Sequence, residues 1–363
     1  MIPLRLKAEL PPLIEPLVVR LRDRRTEDFQ PDCEAVLLDV SGGWREYDYG
    51  GFSLRIHAAP HEALDGDVLL AQPGRSSVNR IIRANSVHNT LVITERCDQL
   101  CVMCSQPPKT GHADLFAQFG QAAMLAPPGA TIGISGGEPL LYKDQVFDLI
   151  DVSLARRPDL RFHVLTNAQH FGRDDENWLR EVAKDKVLWG IPLYSPTAAD
   201  HDAIVAKAGA FDNLMQSMDT LARAGALIEL RTVVTARNVE DLPRLANLIT
   251  TDLPFCSSWA LMQLEPIGFG RMNWDEIFHD SSIDFEPIAR AMNIALTRGL
   301  DVALFNFPLC TVPETHRKYA MATISDWKQK FIESCGECSV RARCGGFFEW
   351  YDQRRGFAQV GPV

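Results

Sequence analysis

Three cysteines in one short loop, Cys97-Asp98-Gln99-Leu100-Cys101-Val102-Met103-Cys104, constrain this chain more than any other feature. The loop directly follows the apolar run Thr90-Leu91-Val92-Ile93-Thr94, which reads as a buried strand. With three and then two residues between them, the thiols are spaced too tightly for a disulfide framework. They can fold inward onto one centre, and thiolates are the ligands an iron–sulfur cluster needs. Three protein ligands leave one iron open, and an open position is where a metal site does chemistry rather than scaffolding. A zinc knuckle or chance clustering is the competing reading of the loop taken alone.

At 363 residues, 46% hydrophobic and 23% charged, the chain can bury a large core, as two domains or one large α/β unit with appendages. No apolar stretch approaches bilayer-spanning length, and the N-terminal segment lacks a signal peptide's unbroken apolar core. No membrane association and a cytoplasmic location are therefore expected. A formal net charge of -10 argues against a nucleic-acid partner, and the basic run Arg20-Leu21-Arg22-Asp23-Arg24-Arg25 reads as a solvated helix face. Seven of the nine cysteines form two groups, Cys97/Cys101/Cys104 and Cys310/Cys335/Cys338/Cys344. In a chain without an export signal, such grouping means metal before disulfides. Cys33 and Cys256 stand apart and read as packing thiols.

Residues 1–85 read as a small β-rich unit, with runs such as Ala35-Val36-Leu37-Leu38, Phe52-Ser53-Leu54-Arg55-Ile56 and Val68-Leu69-Leu70 separated by Gly-rich turns. No motif in it carries chemistry, so a structural or dimerisation module and a substrate-presenting surface stand as equal readings. From Thr90 to about Phe305 the pattern alternates. Strands are expected at 90–94, 131–135, 161–166, 187–193, 227–234 and 258–264, with 302–305 as a candidate seventh. Helices are expected at 114–125, 143–156, 176–184, 211–224, 241–250 and 285–298. Such βα units build a parallel sheet, and six are too few to close an eight-stranded barrel. The expected fold is α/β: a partial (β/α)6 TIM-like barrel over 86–305, the β-rich unit before it, and a cysteine-rich extension over 306–363. Active sites of such sheets lie at the C-terminal strand ends, where the cysteine loop falls.

Other strand ends carry suggestive residues. After the second strand, Gly136 and Gly137 let backbone approach a ligand closely, and Glu138 can accept from an amine. The third ends on Thr166-Asn167, a hydroxyl and an amide suited to a ribose, with a turn or cap as the competing use. On the fifth, Glu229 and Arg231 share one face, and an internal ion pair and a ligand contact are equal readings of Arg231. Gln263 and Glu265 follow the sixth and suit a substrate opening.

The cysteine loop followed by Gly-Gly-Glu at the next strand resembles the radical S-adenosylmethionine (radical SAM) enzymes. That resemblance implies a 4Fe-4S cluster on Cys97, Cys101 and Cys104, with the amino and carboxylate groups of SAM on the open iron. It further implies the carbonyls of Gly136 and Gly137 and the Glu138 side chain at the SAM amino group, with Thr166 and Asn167 at the ribose. Met103 stands where most such enzymes place an aromatic residue packing toward the adenine. The Ser and Arg that related enzymes use for the SAM carboxylate are not cleanly supplied, which leaves that contact among Ser195, Lys207 and Arg231. His201 and Asp202 read either as catalytic or as a turn with a helix cap.

In the second cysteine group, twenty-four residues separate Cys310 from Cys335, two separate Cys335 from Cys338, and five separate Cys338 from Cys344. Four thiols saturate a metal, which makes a closed structural or electron-transfer site, and zinc accepts the same set. Beside a radical SAM core the group resembles an auxiliary-cluster domain, implying a second 4Fe-4S cluster. Together CDQLCVMCSQPPK, SGGEP, FNFPLC, ISDWKQKF and CGECSVRARCGGFF resemble the His-Xaa-Ser system radical SAM maturases (HxsC-like) from about residue 85 to 348. That resemblance implies a precursor peptide with His-Xaa-Ser repeats, a second radical SAM maturase, a small accessory protein, an electron donor, and oxidative crosslinking of peptide side chains. A radical SAM enzyme of a small metabolite and a non-catalytic metal-binding scaffold are the competing functions.

Overall fold

In a computed structural model, which describes residues 2–363, the first part is a closed antiparallel-rich barrel. Its strands are β1 (Arg5–Glu9), β2 (Leu17–Arg22), β3 (Glu34–Ser41), β4 (Trp44–Tyr49), β5 (Phe52–His57), β6 (Val68–Ala71) and β7 (Ser77–Ile82). They follow the order β1-β5-β4-β3-β2-β6-β7, and β1 pairs with both β5 and β7, which leaves no free edge. Leu6, Leu21, Tyr47, Leu54, Ile56 and Leu69 fill the interior. The basic run expected on a helix lies instead at the end of strand β2. The two-residue repeat buries Leu21 and puts Arg20 and Arg22 on the opposite face, where both guanidiniums hold the buried Glu34 of β3.

The second part is a parallel sheet in sequence order. Strands β8 (Asn89–Thr94), β9 (Thr131–Gly136), β10 (Arg161–Leu165), β11 (Val187–Pro192), β12 (Leu227–Val234), β13 (Ser258–Gln263) and β14 (Asp301–Phe305) each pair with the next, and the two-residue β15 (Ala320–Met321) joins the far edge. The sheet is open, a partial barrel whose seventh long strand, β14, lies at the candidate position 302–305. The connections carry helices: α1 (Phe116–Leu125), α2 (Lys143–Arg156), α3 (Glu176–Trp178, continued by a π turn over Leu179–Ala183), α5 (Ala210–Ala224), α6 (Leu242–Asp252) and α9 (Glu286–Thr297) pack on the main core, while the short α4 (Ala198–Val205), α7 (Gly268–Met272) and α8 (Trp274–Ile277) gather about the cysteine loop. On α5 the apolar residues recur as Leu214, Met218 and Leu221, the spacing of one helical face, and each contributes roughly 1.5–3 kcal/mol when buried. Among the described residues no helix is long and apolar enough to cross a membrane.

The parts are knitted together. Val18, Val68, Leu70 and Ile82 on the outside of the barrel share one core with Phe119 and Ala122 of α1. The C-terminal extension holds a small ribbon, β16 (Gln329–Lys330) with β17 (Phe347–Phe348), over a cluster of Phe347, Tyr351 and Phe357. It reaches the barrel through a bidentate pair from Arg83 to Asp326 at 2.7 and 2.8 Å, and the sheet through Lys328 to Glu265 at 3.2 Å.

Candidate active site

The cysteine loop is pinned by backbone before any side chain acts. The chain after β9 extends the parallel ladder onto the loop, with Gly137 N donating to Thr94 O and Glu138 N to Arg96 O, both at 2.8 Å. A Cβ on Gly136 would lie 2.1 Å from Thr94 O, and one on Gly137 2.1 Å from Arg96 O; Gly136 also has φ +143. The paired glycines, expected to admit a ligand, admit the loop's own backbone. On its other sides the loop donates from Leu100 N to Val205 O and from Val102 N to Ile204 O at the end of α4. Phe269 N of α7 donates to Cys104 O.

Two carboxylates, the half-buried Asp98 and the buried Glu138, complete the frame. Asp98 accepts from Asn167 Nδ2 at 2.7 Å and Lys207 Nζ at 2.5 Å, and His170 Nε2 lies 3.3 Å from it. Burial pushes its pKa up, but the His170, Lys207 and Asn167 partners outweigh that and hold it well below the usual carboxylate range. Glu138 is fully buried and accepts from Thr166 Oγ1 and Asn167 N, both at 2.6 Å, and from Leu140 N at 2.8 Å. Burial raises it to about 7 against those hydrogen bonds. The carboxylate expected at an amine therefore ties the end of β9 to the end of β10.

At the C-terminal strand ends one cavity of about 270 Å3 is bordered by Cys97, Cys101 and Cys104, by Gly136, Gly137 and Glu138, by Thr166 and Asn167, and by Tyr194 and Arg231. Burial raises the Cys97 thiol to about 11 and the Cys101 thiol to about 12, so metal binding there must release protons. Arg231 pairs with Glu229 at 3.2 Å, and Glu229 Oε1 lies 3.5 Å from His163 Nε2, making a polar wall inside the barrel. At Gly190 a Cβ would meet Leu165 and His163, so this glycine lets the flanking strands close over β11.

Several expected residues lie elsewhere. Met103 packs beside Tyr194, Ile204 and Trp274 and does not border the cavity, because the loop turns its side chain toward α4 and α8. Ser195 is also outside it, accepting from Thr197 N in the turn before α4, and Lys207 is held by Asp98. Of the three candidates for a carboxylate, Arg231 alone borders the cavity. Asp202 caps α5, accepting from Gly209 N and Phe211 N. His201 is a core residue that accepts from Tyr194 N, with burial lowering its pKa to about 4. Asp98, Tyr194 and Gly190 went unassigned in the sequence; a lone glycine inside a strand pattern was the one available signal.

The second cysteine group sits in turns of the extension. Cys344 Sγ accepts from Leu309 N at 3.4 Å and Gly346 N at 3.3 Å, and burial raises the Cys335 thiol, with Cys344 and Cys338 adding to it. Burial raises the Cys310 thiol to about 11, with Cys344 and Cys335 adding to it. Among the described residues all nine cysteines are free, and no three His, Cys, Asp or Glu side chains are gathered tightly enough to hold a single ion.

The family model of the Radical SAM superfamily matches residues 91–249. The chain is similar to the mycofactocin maturase MftC of Mycobacterium tuberculosis, 31% identical over 147 residues, which are 40% of this chain and 35% of that protein. It is also similar to the PqqA peptide cyclase of Granulibacter bethesdensis, 21% identical over 245 residues, 66% of this chain and 63% of that one. The chain thus spans less than two thirds of the length of either. The solved structure of Streptococcus suis SuiB bound to S-adenosylmethionine has 14% identity and a TM-score of 0.48, covering 59% of this chain and 49% of that one. Residues 91–249, somewhat under half of the chain, are thus similar to the radical SAM superfamily, whose members use a 4Fe-4S cluster and S-adenosylmethionine.

Proposed function

We propose that the chain is a radical SAM peptide maturase, acting in the cytoplasm on a ribosomally made precursor. The observation that carries this reading is the single cavity in which three loop thiols meet Gly136, Gly137, Asn167 and Arg231 at the strand ends. Cys97, Cys101 and Cys104 would hold the 4Fe-4S cluster. Arg231 would pair with the SAM carboxylate, and the backbone at Gly136 and Gly137 would meet its amino group. Thr166 and Asn167 would border the ribose, where Asn167 keeps one amide hydrogen uncommitted after bonding Asp98. The bound cofactors supply a 5'-deoxyadenosyl radical able to take a hydrogen atom from carbon. The chain's own residues orient that reagent and exclude water, through the buried Tyr194 side of the cavity.

Cys310, Cys335, Cys338 and Cys344 would hold a second, fully ligated 4Fe-4S cluster. The three units 1–85, 86–305 and 306–363 would then divide the work into substrate presentation, radical chemistry and cluster binding. Peptide substrates are supported by the relatives named a maturase and a peptide cyclase. A precursor with His-Xaa-Ser repeats, oxidative crosslinking, a second radical SAM maturase, a small accessory protein and an electron donor rest on the sequence motifs. The test is co-expression with a His-Xaa-Ser precursor under anaerobic conditions, followed by mass spectrometry. Loss of two hydrogens from the peptide supports the reading; 5'-deoxyadenosine formation with an unaltered peptide points instead to a small-metabolite substrate.

A further inference from the structure

Three neighbouring cavities, each sharing lining residues with the next, form a broken trough from beside the N-terminal barrel to the cysteine loop. The outermost, of about 690 Å3, lies beside β1 and ends against Arg80 and Arg83. The same two side chains border a cavity of about 400 Å3 where barrel, parallel sheet and extension meet. That middle cavity ends on Ser105, Ser135 and Leu165, all of which also border the cysteine cavity.

The outer mouth is basic in a chain whose net charge is -10. Its two carboxylates, Glu62 and Asp67, are both taken by the buried Arg80. Arg5 and Lys7 are exposed on β1 and have no acidic partner among the described residues; Arg5 donates to Ser77 Oγ, and Lys7 lies over the Trp44 ring. Such a local excess of one sign selects a short segment of the other, while the acidic remainder repels a long polyanion. A small metabolite needs one of these cavities; a path through all three units suits an extended chain.

We propose that this trough binds the precursor peptide in extended form, an acidic segment at Arg5 and Lys7 and the residue to be modified at the cysteine cavity. The proposal rests on the peptide-maturase reading and adds to it the route and the chemistry recognised at its entrance.

The test uses the full chain, reconstituted anaerobically, and a fluorescein-labelled peptide of four glutamates followed by a His-Gly-Ser repeat. A second peptide carries lysines in place of the glutamates. Anisotropy should report binding of the acidic peptide only, weakened about tenfold or more in Arg5→Glu/Lys7→Glu and in rising salt. Peptide-independent 5'-deoxyadenosine formation should be unchanged in that variant. Val92→Trp, which narrows the middle cavity, should abolish peptide-stimulated turnover while leaving the basal reaction. Equal binding of the two peptides, no binding of the acidic one, an unaffected double variant, or displacement by an RNA oligonucleotide overturns the trough. Failure of the wild-type chain to form 5'-deoxyadenosine at all overturns the functional reading beneath it.

Discussion

The two cysteine groups are built in opposite ways. Around Cys97, Cys101 and Cys104 the backbone is fixed by β9, α4 and α7, and the thiols sit where a large apolar sheet places them. Around Cys310, Cys335, Cys338 and Cys344 there are only short 3-10 turns, a two-residue ribbon and a small aromatic cluster. The difference teaches what each metal does for the fold. A site framed by a scaffold keeps its shape without metal and spends the metal on chemistry. A site framed by turns leans on its metal for folding free energy.

The sharpest way to break this contrast is Cys97→Ser. SAM cleavage should fall below detection because the ligand set is lost, yet the melting temperature should move by less than about 4 °C, as expected for a change near 1 kcal/mol. Unfolding of the variant would show that the first site is not scaffold-held. Next in size is Cys344→Ser, which should lose about four irons and open the extension to limited proteolysis while the sheet stays resistant. An extension that remains protected would erase the difference between the groups.

A smaller effect is expected of Asp98→Ala, which strips the anchor between the loop, Asn167 and Lys207. It should cost about 1–3 kcal/mol and speed loss of iron from the first site, read as iron retained after gel filtration. The smallest concerns acid. His201, packed between Tyr194 and Phe211 behind the loop, has its pKa lowered to about 4 by burial, against an ordinary value near 6.5. The folded state thus resists protonation more than the unfolded one. Its contribution is full above about pH 6.5 and fades as pH falls toward 4, by at most about 3 kcal/mol. Melting curves between about pH 7 and pH 5 should fall less steeply for His201→Gln than for the parent; equal slopes would remove His201 from the account.

Legibility in the sequence followed the same divide. The parallel strands were readable because each is a short apolar run with flanking turns, and Trp189, Ile228 and Trp259 are wholly buried. The barrel was read only as β-rich. Closure depends on β1 pairing with β7 more than seventy residues away, and such pairing leaves no local pattern. The Arg20 run misled because charge was read without its partner, Glu34, on the neighbouring strand. In the site, residue type and strand end singled out the cysteines and Arg231, which border one cavity. What Gly136, Gly137 and Glu138 touch within the chain, the loop backbone and the end of β10, is set by sheet register and leaves no local pattern.

A variant with Cys310, Cys335, Cys338 and Cys344 all changed to serine isolates the first site. After anaerobic reconstitution and reduction it should retain about four irons and give an electron paramagnetic resonance signal that shifts when S-adenosylmethionine is added, the mark of a cluster with one iron open to that ligand. A four-iron cluster whose signal is indifferent to S-adenosylmethionine would contradict the account at its root.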